Sequence, residues 1–471
     1  MNAKTSRRSF LQAALAAGAF PFVPALAGGK PWKPGDKVNL AVCGIGNQGW
    51  HDIQSFAKTG LCNIVALCDT DMGAKHTQNA LKKFPNAKRY KDFRKMLEEM
   101  GGEIDAVAAC TPDHAHFPIA MMAMRMGKGI FTEKPMGHTF REIGLMMAAE
   151  KKSGVATQMG NQGHSGANYY QFRDYRASGV LGEIKKVVAH MNSSRRWHKW
   201  NGNVNAMPPE MPIPETMGRD GWSVWLGTMP MRPYNRDYVN GDWRCWYDFG
   251  NGALGDWGAH ILDTIHQFYD LGLPSEIRIS NVTGHNPFVF PMNNTLTFRF
   301  PSKPGRKGFD IEWYEGRQNL PELPKGYKTP KGQGYIPPPG GVAAAAKEKG
   351  FSLNPGKEIY MADGTIWQGG SHSSPLQKVG SDEKLPEYEK PGSNHYANFL
   401  LGVMGREKTR SPFSVAGPLS QMFTLGCIAQ RLRRSIKIDP KTGAILDDAE
   451  AAKYLAGPAA PRKEWEEFYK V

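Results

Sequence analysis

The sequence predicts an α/β protein in two parts: a parallel sheet wound with helices, then an α+β part built on a mostly antiparallel sheet. Three observations predict it. From Lys37 onward, short apolar runs alternate with helix-patterned segments, the mark of successive βαβ units. Glycines 44, 46 and 49 follow the first run at once, where such a unit brings its backbone up to a ligand. Beyond Gly163 the runs alternate with period two, as strands of an antiparallel sheet do. At 471 residues the chain is too long for one ordinary domain. The expected division is a leader over 1–27, a nucleotide-binding unit over 36–162 and a substrate and assembly unit over 163–471.

The leader reads as a twin-arginine export signal. Ser6-Arg7-Arg8-Ser9-Phe10-Leu11 precedes an uncharged stretch that ends in Ala25-Leu26-Ala27, a small-x-small cleavage pattern. Its apolar part, Phe10 to Val23 with Pro21 inside, is shorter than the roughly 20 residues of a membrane-spanning helix. The expectation is therefore export to the periplasm and a mature chain without membrane insertion. The formal charge is +15, of which Lys4, Arg7 and Arg8 belong to the leader, leaving about +12 on the rest. No dense basic block accompanies that charge, so a solvated basic surface is expected and no nucleic-acid partner. Six scattered cysteines, with Cys43, Cys68 and Cys110 in or beside strand-like runs, predict buried thiols rather than a disulfide framework.

The first unit opens with a strand over Val38 to Cys43, a helix from about Gly49 to Thr59, and a second strand over Ile64 to Cys68. Gly44-x-Gly46-x-x-Gly49, with Asn47 and Gln48 between, fits a pyrophosphate: a tight turn, room against the backbone, and a helix N-terminus that favours an anion. Asp69 closes the second strand, where a carboxylate accepts from the ribose hydroxyls and repels a 2'-phosphate, which favours NAD over NADP. Three further runs end in polar clusters at what would be one edge of the sheet. These are Thr111-Pro112-Asp113-His114-Ala115-His116, Glu133-Lys134-Pro135 and Asn161-Gln162-Gly163-His164. His114 and His116 lack the nearby Cys or Glu of a zinc site, so no metal is expected there.

In the second part a helix-like stretch over Tyr169 to Ser178 precedes runs over Ile184 to Met191, Ile277 to Val282, Thr295 to Phe300 and Phe309 to Tyr314. Between them lies Gly250 to Asp263. If helical, it sets Asp256 and His260 four apart on one face, with Asp263 three further. Imidazole beside carboxylate suits proton transfer near neutral pH, and the same residues could instead ligate a metal or cap and pack. From Arg195 to Trp246 the chain is rich in Arg and Trp. Most of these tryptophans are expected to fill the core, and Arg244, between Trp243 and Trp246, is the best candidate for substrate contact. Pro, Gly and Lys crowd residues 321–350, which read as a long loop or insertion.

Taken together, Gly44-x-Gly46-x-x-Gly49, Thr111-Pro112 with His116, Glu133-Lys134-Pro135 and Asp256-x-x-x-His260 resemble the glucose-fructose oxidoreductase, inositol dehydrogenase and rhizopine-catabolism family, Gfo/Idh/MocA. The resemblance runs from about Lys37 to the C-terminus. It implies an N-terminal Rossmann domain, a C-terminal domain with a large open antiparallel sheet, a homo-oligomer (dimer or tetramer), and hydride transfer between NAD(P) and a sugar or cyclitol. Carried over residue by residue, it implies Lys134, Asp256 and His260 as catalytic residues. It also implies a cofactor held by Gly44, Gly46, Asn47, Gln48, Gly49, Asp69, Thr111, Pro112, His116, Glu133, Lys134 and Asn161. The substrate would meet Lys134, His164, Arg244, Asp256 and His260, with no metal.

Export sharpens the expectation, because twin-arginine transport carries folded proteins and a bound nicotinamide cofactor with them. The leading expectation is a carbohydrate oxidoreductase whose NAD stays bound through turnover. One alternative keeps the cofactor but hydrolyses a glycoside by transient oxidation, elimination, water addition and re-reduction; the Asp256-x-x-x-His260 pair resembles the dehydrogenases more. A second alternative, a binding protein without catalysis, sits poorly with the intact Lys134, Asp256 and His260 set.

Overall fold

The computed structural model describes residues 31–192, 206–239, 241–316, 319–327, 353–389 and 392–471. The expected leader lies outside them, as do Arg195, Arg196, Trp197, Trp200 and most of 321–350.

Six parallel strands form the first sheet: β1 (Val38–Cys43), β2 (Cys62–Cys68), β3 (Lys88–Tyr90), β4 (Ala106–Ala109), β5 (Gly129–Glu133) and β6 (Thr157–Gly160). Their order is β3-β2-β1-β4-β5-β6. β1 shows why the strands read as continuous apolar runs. Val38, Leu40 and Val42 enter one core cluster while Ala41 and Cys43 enter another, so both faces of the strand are covered by helices. The strand order reverses between β1 and β4, and the crevice beyond the ends of those two strands is where a doubly wound sheet takes its ligand.

The second sheet has nine strands in the order β13-β12-β11-β7-β10-β9-β8-β14-β15. They are β7 (Ile184–Met191), β8 (Glu276–Thr283), β9 (Asn293–Phe300), β10 (Phe309–Glu315), β11 (Gly356–Met361), β12 (Ile366–Gly370), β13 (Gln377–Lys378), β14 (Ile436–Ile438) and β15 (Ile445–Leu446). The sheet is mixed, because β7 runs parallel to β10 and antiparallel to β11. Parallel neighbours need a crossover, and the long segment between β7 and β8 supplies it. That segment holds helices Gly218–Leu226, Gly252–Ile261 and Asp263–Phe268 and carries the site residues.

The chain then returns to the first unit. Helix His395–Val403 packs beside helix Gln48–Lys58, where the Tyr396 hydroxyl donates to Asp52 Oδ1 at 2.7 Å. Helix Phe413–Leu432 lies against both helix Phe140–Ser153 and helix Gly252–Ile261. Near the C-terminus Trp465 packs on Phe93 and Tyr469 on Phe117. One core cluster therefore runs from Ala41 to Phe468 through both sheets, and after residue 394 the chain braces the nucleotide-binding unit with its helices while β14 and β15 complete the second sheet. All six cysteines are free thiols. No helix among the described residues is long and apolar enough to cross a membrane.

Candidate active site

At the crevice the glycine turn is packed to contact. Gly44 has φ +79, and a Cβ there would stand 2.5 Å from the Cys110 carbonyl oxygen. A Cβ on Gly49 would fall 1.9 Å from the Gly44 carbonyl oxygen, and one on Gly46 2.2 Å from the His76 ring. At Gly44 and Gly49, where the contact is with backbone, only glycine fits, and the turn leads straight into helix Gln48–Lys58. Asp69 is held in place beside it: its carboxylate accepts from the Ile45 and Asp71 N–H groups, each at 3.1 Å, and its Oδ1 lies 3.6 Å from His76 Nε2. That carboxylate raises the His76 pKa above its ordinary value.

A cavity of about 710 Å³ extends from this turn. Gly44, Gly46, Asn47, Gln48, Asp69, Thr111, Pro112, Glu133 and Lys134 line one side of it. Pro214, Met217, Trp225, Tyr234, Trp243 and Arg244, from the crossover segment, line the other, with Trp465. Thr111 Oγ1 has no hydrogen-bond partner among the described residues. The glycine cradle, the carboxylate of Asp69 and that unsatisfied hydroxyl fit a dinucleotide.

The wall ends in an ionic cluster. Lys134 Nζ donates to Asp256 Oδ1 at 2.5 Å, and Arg244 Nε reaches the same oxygen at 3.3 Å while its guanidinium stacks on Trp243 at 4.1 Å. Lys134 comes from the end of β5, where the Lys134–Pro135 peptide is cis, and Asp256 from helix Gly252–Ile261, so the cluster joins the two units. Nearby Asp113 accepts from Asn251 N at 3.0 Å, and burial pushes its pKa up to about 7 against the opposing pull of Arg244 and Lys134. Sequence reasoning missed Asp113 as part of this cluster, since it reads as the ordinary first residue of a helix. His260, one turn beyond Asp256, is only 4% exposed, and its ring is stacked on His372.

Several candidates, Asp256 and His260 among them, stand behind the cavity rather than on it. His116 is fully buried between the carbonyls of Thr111 and Pro135, each 2.9 Å from a ring nitrogen; it ties two cavity loops together, and burial lowers its pKa to about 4. His114 likewise lies between the Trp225 and Phe249 carbonyls, its pKa lowered to about 3 by burial. The helix expected to continue from Asp256 to Asp263 breaks at Leu262. Asp263 starts a new helix and takes His164 Nδ1 at 3.0 Å and Asn161 Nδ2 at 3.4 Å, so these three form a buried support beneath the site. Gly49 acts through packing. Glu133 lines the cavity; burial and the neighbouring Asp52 push its carboxyl above the usual range. Among the described residues no group of three or more His, Cys, Asp or Glu is arranged to hold a metal.

Of the tryptophans singled out, Trp222 and Trp246 fill a core cluster, whereas Trp225 and Trp243 reach the cavity. Trp222 stacks on Trp225 at 4.9 Å, which stiffens the segment that covers the groove.

Comparison with known proteins agrees with this geometry. The NAD-binding Rossmann-fold model of the Gfo/Idh/MocA oxidoreductases matches residues 38–161, and the model of that family's C-terminal alpha/beta domain matches 166–294. The chain is similar to a glycosyl hydrolase family 109 protein of Stenotrophomonas maltophilia, 26% identical over 232 residues that cover 46% of this chain and 48% of that one. It is also similar to the D-glucoside 3-dehydrogenase of Escherichia coli, 25% identical over 223 residues covering 47% and 50%. The matches thus span about half the length of these relatives. In three dimensions the WlbA dehydrogenase of Bordetella pertussis, solved with NADH and UDP-GlcNAcA, superposes with a TM-score of 0.58 at 15% identity, covering 86% of this chain and 98% of that one.

Proposed function

The chain belongs to the Gfo/Idh/MocA family of oxidoreductases, and from that premise we propose that it is an exported, NAD-dependent oxidoreductase of sugars or sugar derivatives that keeps its cofactor through turnover. The observation that carries this reading is the meeting of Lys134 and Arg244 on Asp256 at the end of the glycine-floored cavity. A cofactor there would be held by Gly44, Gly46, Asn47, Gln48, Asp69, Thr111, Pro112 and Glu133, and when bound it supplies the hydride acceptor. Asp69 supports NAD over NADP through its negative charge at the ribose end.

In this reading His260 accepts the proton of the substrate hydroxyl. Lys134 places its ammonium by the oxygen as charge develops there, and Asp256 fixes the direction of that ammonium. Arg244, flat against Trp243, binds a second hydroxyl or a carboxylate of the sugar. His164 and Asn161 act from below, through Asp263.

Retention is supported by the crossover segment that closes the groove. A Cβ on Gly73 would stand 2.3 Å from Thr216, and one on Gly221 2.5 Å from the Thr70 carbonyl oxygen, so the segment is seated directly on the nucleotide-binding loops. Arg462 fastens its other side through Ser223 and Gly227. Export by the twin-arginine route and assembly into a dimer or tetramer complete the proposal. Folded protein, denatured after purification, is expected to release close to one NAD(H) per chain, with no 2'-phosphate by mass spectrometry. Protein that elutes empty and binds NAD only weakly removes the retained-cofactor reading.

Similarity to the glycosyl hydrolase family 109 protein favours a second reading, net hydrolysis of a glycoside with the cofactor restored at the end. Product analysis separates the two. A keto-sugar or lactone supports oxidation, whereas an aglycone released without net NADH supports hydrolysis.

A further inference from the structure

The loop after β12, residues 371–374, brings a second imidazole onto His260. The rings of His372 and His260 are stacked with centroids 3.9 Å apart and planes 16° from parallel. The His372 N–H donates to the His260 carbonyl at 3.0 Å, and His372 holds φ +57, a left-handed backbone that non-glycine residues seldom adopt. The loop is seated without slack: a Cβ on Gly163 would lie 2.6 Å from the His372 carbonyl, and one on Gly166 2.1 Å from Ser373 Oγ. Trp257 sets its ring edgewise to both imidazoles, at 6.4 Å from His260 and 5.6 Å from His372. His372 is exposed while His260 is buried, so the outer ring covers the inner one.

We propose that His372 is a positioning residue of the proton-transfer site, which fixes the plane of the His260 ring and keeps that ring in its proton-accepting form. The inference rests on the reading of His260 as the base. When the substrate hydroxyl gives up its proton, its O–H bond breaks, its electron pair stays on oxygen, and an N–H bond forms on His260. A neutral ring stacked on the new imidazolium offers it a π face, whereas a second proton on His372 at that separation would repel the first. The stacked pair therefore carries one proton at a time. The other charged groups grouped here are Asp256 on the same helix, Lys134 and Arg244 bonded to it, Asp263, held by His164, at the start of the next helix, and from β11 the buried Lys357, whose Nζ donates to the Ile261 carbonyl at 2.6 Å. The loop 371–374 itself brings no acid.

The test compares His372→Ala, His372→Phe and His260→Ala in the full chain with its bound cofactor. The readouts are kcat and KM against pH and, independently of turnover, the titration of the imidazole ring protons by NMR. His372→Phe keeps a ring over His260 but takes no proton. It is expected to retain kcat while the acid limb of kcat/KM and the His260 titration both move up by about one pH unit. His372→Ala is expected to show the same shift and to lose kcat about tenfold with KM little changed. Native kcat, pH profile and titration in both variants overturn the proposal, as does an equal loss of kcat in both with the limb unmoved, the result of a merely structural role. Undiminished turnover in His260→Ala instead strikes the assignment of the base, which separates the two failures.

Discussion

Replacing His260 by Ala is expected to slow reduction of the bound nicotinamide by about 10²- to 10⁴-fold, the usual contribution of a positioned general base. Cofactor content should stay at the native level. His260 stands one turn beyond Asp256 on helix Gly252–Ile261, away from the glycine turn and from Asp69, so its loss takes nothing from the dinucleotide cradle. It also leaves the bonds of Lys134 and Arg244 to Asp256 intact. The measurement is a single turnover with a sugar that the native protein oxidises, followed by absorbance of the reduced nicotinamide. Because Ala opens a void under His372, the more conservative His260→Gln is run beside it, and added imidazole should restore part of the rate to the Ala variant. Undiminished reduction in both variants would remove His260 from the base role.

The nucleotide-binding half was legible because each piece of it is local. A strand buried on both faces leaves an apolar run, and a turn that touches its neighbours leaves glycines, as at Gly44 and Gly49. A carboxylate after the second strand is then in place by spacing alone. Asp256 and His260 were legible for a similar reason, a fixed interval along one helix. What sequence could not give is what long-range packing decides. The break at Leu262 turns Asp263 away to bind His164 and Asn161, and nothing in the helical pattern announces it. His116, expected at the cofactor from the family resemblance, is a strut between two carbonyls, because full burial favours tying its ring to backbone. Trp222 and Trp225 are three residues apart on one helix, yet only Trp225 lines the cavity. His372 arrives from a distant hairpin, and its nearest sequence signals are Gly163 and Gly166, which make room for it from another part of the chain.

Asp256→Ala is expected to damage folding as well as hydride transfer. In the native protein one carboxylate oxygen serves both Lys134 and Arg244, and Asp256 and Lys134 are only 3% and 10% exposed. Removing it leaves two cations side by side with little water, a loss of about 3–5 kcal/mol for a broken buried pair. Chemical denaturation of the cofactor-loaded protein reads that loss, and the same variant should turn over at least about a hundredfold more slowly because nothing then aims the Lys134 ammonium. The loss should also depend on pH, through Asp113. Burial raises that carboxyl to about 7 from 3.8, with Asp256 adding to the rise and Arg244 and Lys134 opposing it. Its stabilising effect is complete below its ordinary value and is lost as pH climbs toward 7. Without Asp256 the like charge is gone and two cations are released toward Asp113, so its proton leaves at lower pH and its carboxylate takes up part of the vacated role. The stability gap between native and variant protein should therefore narrow as pH rises from about 5 to 7. In an Asp113→Asn background, which has no proton to lose, that narrowing should vanish. A gap that stays constant across this range in the single variant would separate Asp113 from the cluster.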